Sequence, residues 1–253
     1  MVNLSTVGYV VLKIAIVISI SQLFILFFLG NIPHTMVGKT VAFTHLAFLA
    51  LLNMTLLVIT TSPIIYFWVI NPFVKARDEA VLEATHLAHY DQLTNLGNRR
   101  LIYQNLEKIK AQCDRREVFG AVMLLDLNKF KPINDEYGHD AGDAILVSVA
   151  NQLIKVVRSE DLVGRFGGDE FVVVISHLDY EESIAKDKAQ VIAQKIQSAV
   201  RKPVEFNGSK IDVCSSIGVC LFKKNDKGND ELIKMADTAM YKAKTSSAKI
   251  MIC

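Results

Sequence analysis

Apolar and polar residues are sharply segregated along this chain. From Val7 to Leu29 the strongly polar residues are Lys13, Ser19, Ser21 and Gln22. At about 1.5 Å per residue, a helix of this run covers a hydrocarbon core of about 30 Å. A second run, Val41 to Ile70, contains no Asp, Glu, Lys or Arg. Tyr66 and Trp68 stand where an interfacial aromatic belt is expected, and Pro63 predicts a kink. Two transmembrane helices, about 7–29 and 41–70, are therefore expected within a membrane anchor of residues 1–72. The first run lacks a basic start and is followed by a second span, which favours a retained helix over a cleaved signal peptide.

The period then changes. Between Phe73 and Tyr90, Val74, Val81 and Ala88 recur at heptad spacing with Leu82 and Leu87 beside them. This predicts a helical linker, 73–90, with the pattern of a short coiled coil. Beyond residue 90 the patterning predicts helices over Arg99–Cys113, Gly142–Val157, Glu182–Arg201 and Glu231–Lys244. Strands are expected over Gly120–Leu127 and Lys210–Phe222, with a hairpin over Leu162–Ile175. The fold class is α/β (α+β) with a mixed or antiparallel central sheet.

Charge sharpens this division. Lys13 and Lys39 are the only charged residues in the first 72, and with those two set aside the 28 Lys and Arg fall to the same number as the 26 Asp and Glu. So even a balance excludes a nucleic-acid-binding surface of the usual basic kind. Lys75 and Arg77 follow the second run, whereas the connecting segment Asn31 to Thr40 offers only Lys39. The positive-inside bias thus places both termini in the cytoplasm. That connecting segment is too short to fold as a sensor domain. Cys113, Cys214, Cys220 and Cys253 are scattered, as expected of free thiols in a reducing compartment.

Two acidic groups stand at the ends of strongly apolar strands. Asp126 closes Ala121-Val122-Met123-Leu124-Leu125, and Asp169-Glu170 opens Phe171-Val172-Val173-Val174-Ile175. Carboxylates so placed suit a hard cation shared with phosphate oxygens. Gly167-Gly168 before them lets a backbone or nucleotide approach closely.

Gly167-Gly168-Asp169-Glu170-Phe171 resembles the signature of the GGDEF family, the diguanylate cyclases; chance would produce it in such a chain with a probability on the order of 10⁻⁴. Asp91-Gln92-Leu93-Thr94-Asn95-Leu96-Gly97-Asn98-Arg99-Arg100, Asp126 to Asp135 and Gly138 to Asp143 resemble further family segments in register. The resemblance covers residues 91–253 and implies a palm-like domain. It also implies an enzyme that joins two GTP into cyclic di-GMP and two pyrophosphates, as a homodimer on the bacterial inner membrane, with the catalytic domain cytoplasmic.

Residue by residue, the resemblance makes Asp126, Asp169 and the Leu127 carbonyl ligands of two Mg²⁺ or Mn²⁺ ions. Asp169 and Glu170 become the catalytic pair, with Glu170 either aiding metal binding or accepting the 3′-hydroxyl proton. Asn134 and Asp143 become guanine readers, Phe130, Lys131 and Lys244 join the substrate site, and Lys131 and Lys244 contact the triphosphate. Arg158 and Asp161, five residues ahead of Gly167, match an inhibitory site for the product. Two positions depart from the family. Ser247, Ala248 and Lys249 stand where Gly-Arg-Asn is usual, so a phosphate-binding arginine is replaced by a lysine without its fork. Asn128 replaces a more usual Asp.

Overall fold

A computed structural model describes residues 4–30, 42–223 and 227–253, which fall into two compact units, Met1–Ala84 and Thr85–Cys253. In the first, α1 (Leu4–Gly30) and α2 (Ala42–Ile65) are apolar helices, followed by a π-helical turn (Tyr66–Ile70) and by α3 (Asn71–His89). Pro63, inside α2, has no N–H for the carbonyl one turn earlier, and the π-helical turn follows that interrupted ladder. Among the described residues one helical stretch, Phe48–His89, is long and apolar enough to cross a membrane, while the apolar stretch Leu12–Leu23 of α1 is shorter. The second expected span has that support and the first does not. Lys13 lies 4.6 Å from the Tyr9 ring centroid and 5.1 Å from that of Trp68, so its ammonium faces two aromatic π-clouds. The expected connecting segment with Lys39 lies outside the described residues.

The second unit is a six-stranded sheet between two helical layers. Its elements are β1 (Gly97–Asn98), α4 (Arg99–Arg116), β2 (Gly120–Asn128), α5 (Phe130–Tyr137), α6 (His139–Val156), β3 (Leu162–Gly167) and β4 (Glu170–Ile175). After these come α7 (Glu182–Val200), β5 (Val204–Phe206), β6 (Ser209–Ile211), β7 (Cys214–Phe222), α8 (Asn229–Thr245) and β8 (Ile250–Ile252). The strand order is β1-β3-β4-β2-β7-β8. The central pairs are antiparallel and the two outermost are parallel, which is the mixed sheet expected.

The continuous apolar run of β2 is explained by burial on both faces. Ala121, Met123, Leu125 and Leu127 pack with α6 and α7 residues, and Val122 and Leu124 with α4 and α8 residues. In β4 the same alternation sends Phe171, Val173 and Ile175 one way and Val172 and Val174 the other. Asn98 caps α4 by accepting the Leu101 N–H at 3.1 Å, as an N-cap asparagine does.

Two expectations need correction. The stretch before Gly142 contains α5, and α6 starts at His139; Gly138, at φ 86°, turns the chain between them. The expected strand Lys210–Phe222 is divided between β6, which pairs with β5, and β7. Asn207 and Gly208, at φ 47° and 80°, make the β5–β6 turn, an Asn-Gly pair of the kind that favours two-residue hairpins. The parallel edge strands β1 and β8 have two and three residues, too short to show a period.

A helix comes close to the sheet at Gly218 of β7. A Cβ there would lie 2.1 Å from the Ala236 carbonyl oxygen and 2.2 Å from the Met240 nitrogen of α8, and neither backbone atom can turn aside. Gly218→Val should destabilise the folded unit by at least about 1–3 kcal/mol, the usual scale of overpacking. Urea unfolding of the full chain in detergent measures this; an unchanged midpoint would show that α8 is not seated on β7.

Candidate active site

The register of the three central strands brings the acidic groups together. Asp126 stands opposite Glu170 of β4 and Ser216 of β7. By strand alternation Asp126 and Glu170 lie on the face of Val122, Leu124, Val172 and Val174, toward α4 and α8. Asp169 sits in the turn between β3 and β4, where Gly167 and Gly168 have φ of 145° and 52°. The Leu127 N–H donates to the Asp169 carbonyl at 3.3 Å, tying that turn to the end of β2.

These carboxylates are short of compensating charge. Burial, then repulsion from Asp126, holds the Asp169 carboxyl above its ordinary range against the pull of Lys244 and Arg165. Glu170 is raised by burial and by Asp237, Asp126 and Asp169, with Arg99 opposing. Lys244 donates to Asp126 at 2.8 Å, and that bond leads the effects that raise the Lys244 ammonium above its usual value. All donors at this end of the sheet are hard oxygens that favour Mg²⁺-type cations. Among the described residues no group of three or more His, Cys, Asp and Glu is drawn close enough to hold a metal by itself. The residues therefore fit a hard cation that takes only part of its shell from protein oxygens.

Asn134 and Phe130, both on α5, come together against α6. Both meet Gly142 of α6, where a Cβ would lie 1.9 Å from the Asn134 Oδ1 and 3.2 Å from the Phe130 ring. The Asn134 Oδ1 is buried without a hydrogen-bond partner. Asp143 and Lys131 are exposed on α6 and α5. The substitution at Asn128 has a local explanation, because its Oδ1 accepts the Ser216 hydroxyl at 2.9 Å. At the altered end, the Lys249 ammonium donates to the Ser246 carbonyl at 3.4 Å.

Arg158 and Asp161 are placed apart from the carboxylates, in the loop between α6 and β3. The Asp161 carboxylate accepts the N–H of Arg158 and that of Ser176, each at 3.1 Å. The Arg158 guanidinium is exposed, 3.9 Å from Glu160. Both residues line a groove of about 480 Å³ that also includes Tyr90, Leu96 and Leu101.

Sequence reasoning missed Arg165. Its Nε and Nη2 donate to the Gly168 carbonyl at 3.0 and 2.7 Å, and its Nη1 donates to Asp91 at 2.9 Å. Asp91 also accepts the N–H and hydroxyl of Thr94 at 2.9 and 2.7 Å. Burial opposes the Asp91 charge, but these bonds outweigh it and hold its carboxyl below the ordinary value. The Asp-x-x-Thr spacing was the available signal, since such a pair closes its own turn. Arg99 was missed as well. It lies over the Tyr103 and Phe166 rings and lines, with Glu170 and Asp237, a cavity of about 290 Å³.

Known proteins are similar to this chain in sequence and fold. Residues 88–249 match the family described as "Diguanylate cyclase, GGDEF domain". A bifunctional diguanylate cyclase/cyclic di-GMP phosphodiesterase of Pseudomonas aeruginosa, MucR, is 36% identical over 162 residues, which are 64% of this chain and 23% of that protein. The diguanylate cyclase TpbB of the same species is 35% identical over 160 residues, 63% of this chain and 36% of the relative. The chain thus spans well under half the length of these two relatives. A solved structure of the TpbB GGDEF domain superposes with a TM-score of 0.60 at 32% identity, covering 65% of this chain and 94% of that one. With its Gly-Gly turn, its acidic strand ends and a family match from residue 88 to 249, the chain belongs to the GGDEF family of diguanylate cyclase domains.

Proposed function

We propose that the chain is a diguanylate cyclase that condenses two GTP into cyclic di-GMP and two pyrophosphates. The observation that carries this reading is the convergence of Asp126, Asp169 and Glu170 at one end of the β2–β4 pair, with two of the three held above the usual carboxylate range. Each bond-forming event joins a 3′-oxygen to an α-phosphorus, breaks the bond to the β-phosphate, and releases the 3′-hydroxyl proton. Glu170, whose carboxyl is held above its ordinary value by burial and neighbouring acids, suits the role of proton acceptor. Asp126, Asp169 and the Leu127 carbonyl would hold Mg²⁺ or Mn²⁺, two per site, whose chemistry is to neutralise charge on the attacking oxygen and the triphosphate.

The remaining residues bind and orient. The orphaned Asn134 Oδ1 is an acceptor for a guanine N–H, and Asp143, one residue beyond Gly142, accepts from N1–H and the exocyclic amine, a pair that adenine lacks. Phe130 flanks this recess. Lys131 and Lys244 serve the triphosphate, Lys244 by leaving Asp126 once a cation balances that carboxylate. Lys249 supplies a point charge in place of an arginine fork, which weakens the grip on phosphate. A twofold product from domains that each bind one GTP calls for a homodimer, and the exposed Val74, Leu82 and Leu87 of α3 suit pairing with a second copy.

Asp169→Asn tests the centre. Purified full chain given GTP and Mg²⁺ should form cyclic di-GMP by mass, with specific activity rising with protein concentration, and chelation should abolish it. The variant should lose at least about 100-fold, the scale of several kcal/mol of lost charge stabilisation. The sign of the stability change separates this from misfolding. A carboxyl raised in the folded state contributes stability that is complete below its unfolded value and lost as pH rises through the folded one. Without divalent ions Asp169→Asn should therefore melt above the native chain at neutral pH. That difference should shrink toward about pH 4, and Mg²⁺ should stabilise only the native chain. An active variant, or one less stable throughout, would remove Asp169 from the site.

Localisation at a bacterial inner membrane is part of the same proposal, supported by the helical stretch Phe48–His89, which is long and apolar enough to cross a membrane, and by the cytoplasmic location of GTP. Reporter fusions at residue 35 and after Cys253 should score on opposite sides. The same side for both would eliminate one of the two spans.

We further propose that cyclic di-GMP inhibits its own synthesis at Arg158. The exposed fork can grip a phosphate or a guanine edge, while Asp161, bonded to the loop N–H groups, orients the turn and keeps a lone pair for a guanine N–H. Progress curves with added cyclic di-GMP should stall early for the native chain and continue for Arg158→Ala. Equal curves would dismiss the site.

A further inference from the structure

Sulfur is concentrated at one edge of the sheet. The chain has seven methionines and four cysteines, and three of the former and two of the latter meet where α8 covers β7 and β8. The parallel register Ile217↔Ile250, Gly218↔Met251, Val219↔Ile252 continues to Cys220 beside Cys253, whose N–H donates to the Val219 carbonyl at 2.9 Å. Side chains alternate along a strand. Cys220, Met251 and Cys253 therefore share the face on which Gly218 touches α8. Cys220 is buried in a cluster with Met240, and Met235 packs against that cluster.

The Cys253 thiol donates to the Val219 carbonyl at 3.3 Å and the Cys220 thiol to the Leu221 carbonyl at 3.7 Å. The neighbouring Cys220 thiol, aided by Lys227 and Lys242, brings the Cys253 thiol down to about 7 against the effect of burial. Cys220 is correspondingly pushed up. A cavity of about 290 Å³, lined by Met235, Thr238, Lys242, Met251 and Cys253, opens beside the pair. Buried Met and Cys usually serve only as apolar filling. Here one thiol is exposed and its residue lines a cavity together with Met235 and Met251.

The donor set selects its ligand. Thiolate and thioether sulfur favour soft ions such as Cu(I), whereas Mg²⁺ and Ca²⁺ require oxygen. A structural Zn²⁺ site takes four Cys or His ligands, and among the described residues no group of three or more His, Cys, Asp and Glu is present. We propose that Cys220 and Cys253, with Met251 and Met235 as thioether neighbours, form a binding site for a soft monovalent cation of the Cu(I) type. Binding releases thiol protons to solvent and changes no oxidation state. It ties β8 to β7 across the edge of the sheet.

The test uses the reduced full chain in detergent, without oxygen, titrated with Cu(I) buffered by bicinchoninate. The native chain should take up one equivalent and develop thiolate-to-copper absorption in the ultraviolet. Cys253→Ser should weaken uptake by more than roughly 100-fold, above the effect of losing an outer-sphere partner alone. Met251→Leu, which conserves volume, should weaken it less while leaving the melting temperature of the copper-free chain unchanged, and Cys214→Ser should match the native chain. Failure of the native chain to compete for Cu(I), or equal uptake by Cys253→Ser, would overturn the site. So would a reduced chain that takes up no Cu(I) but closes a Cys220–Cys253 disulfide with mild peroxide, which would make the pair a redox element instead.

Discussion

The antiparallel register of β2 between β4 and β7 is the constraint on which the rest of the catalytic unit depends. Because β2 is buried on both faces, each of its side chains has an assigned layer, and a slip of one residue would exchange the two cores. The same register sets Asp126 opposite Glu170 and Ser216. Packing energy spread over the strand thus holds carboxylates near one another despite their repulsion. The site inherits its geometry from the core.

Arg165 extends that control to the turn. A two-glycine turn with both residues at positive φ has little intrinsic preference for one shape. The guanidinium removes that freedom by donating twice to Gly168 and once to Asp91. With side-chain exposures of 11% for Arg165 and 24% for Asp91, the pair is largely shielded, unlike an exposed pair, which is worth little. One side chain therefore connects the segment that follows α3 to the turn that carries Asp169.

The electrostatics of the carboxylate end follow from the same placement. A protein that needed only stability would not leave Asp169 and Glu170 raised by burial and mutual repulsion. Such uncompensated charge is typical of places where a cation and a charged substrate are bound. Asn128 marks the edge of this region. It shares the face of Asp126, yet it is neutral and bonded to Ser216, so the local negative charge is not increased further.

The sequence by itself determined the division into an apolar N-terminal third and a balanced α/β unit, the long helices, the buried central strands, and the acidic strand ends with their Gly-Gly turn. These are local properties, carried by hydropathy, period and a specific motif. It did not reveal α5, the β5–β6 hairpin or the short edge strands, because eight, three or two residues are too few for a period to be read. Only the tertiary structure decided that Lys244 reaches Asp126, that Arg165 joins Asp91 to Gly168, that Gly142 adjoins Asn134, and that Cys220 meets Cys253. Apart from Asn134 with Gly142 and Arg165 with Gly168, these partners are separated by tens of residues, and their contacts exist because strand register and helix docking bring distant segments together, which no pattern along the chain records.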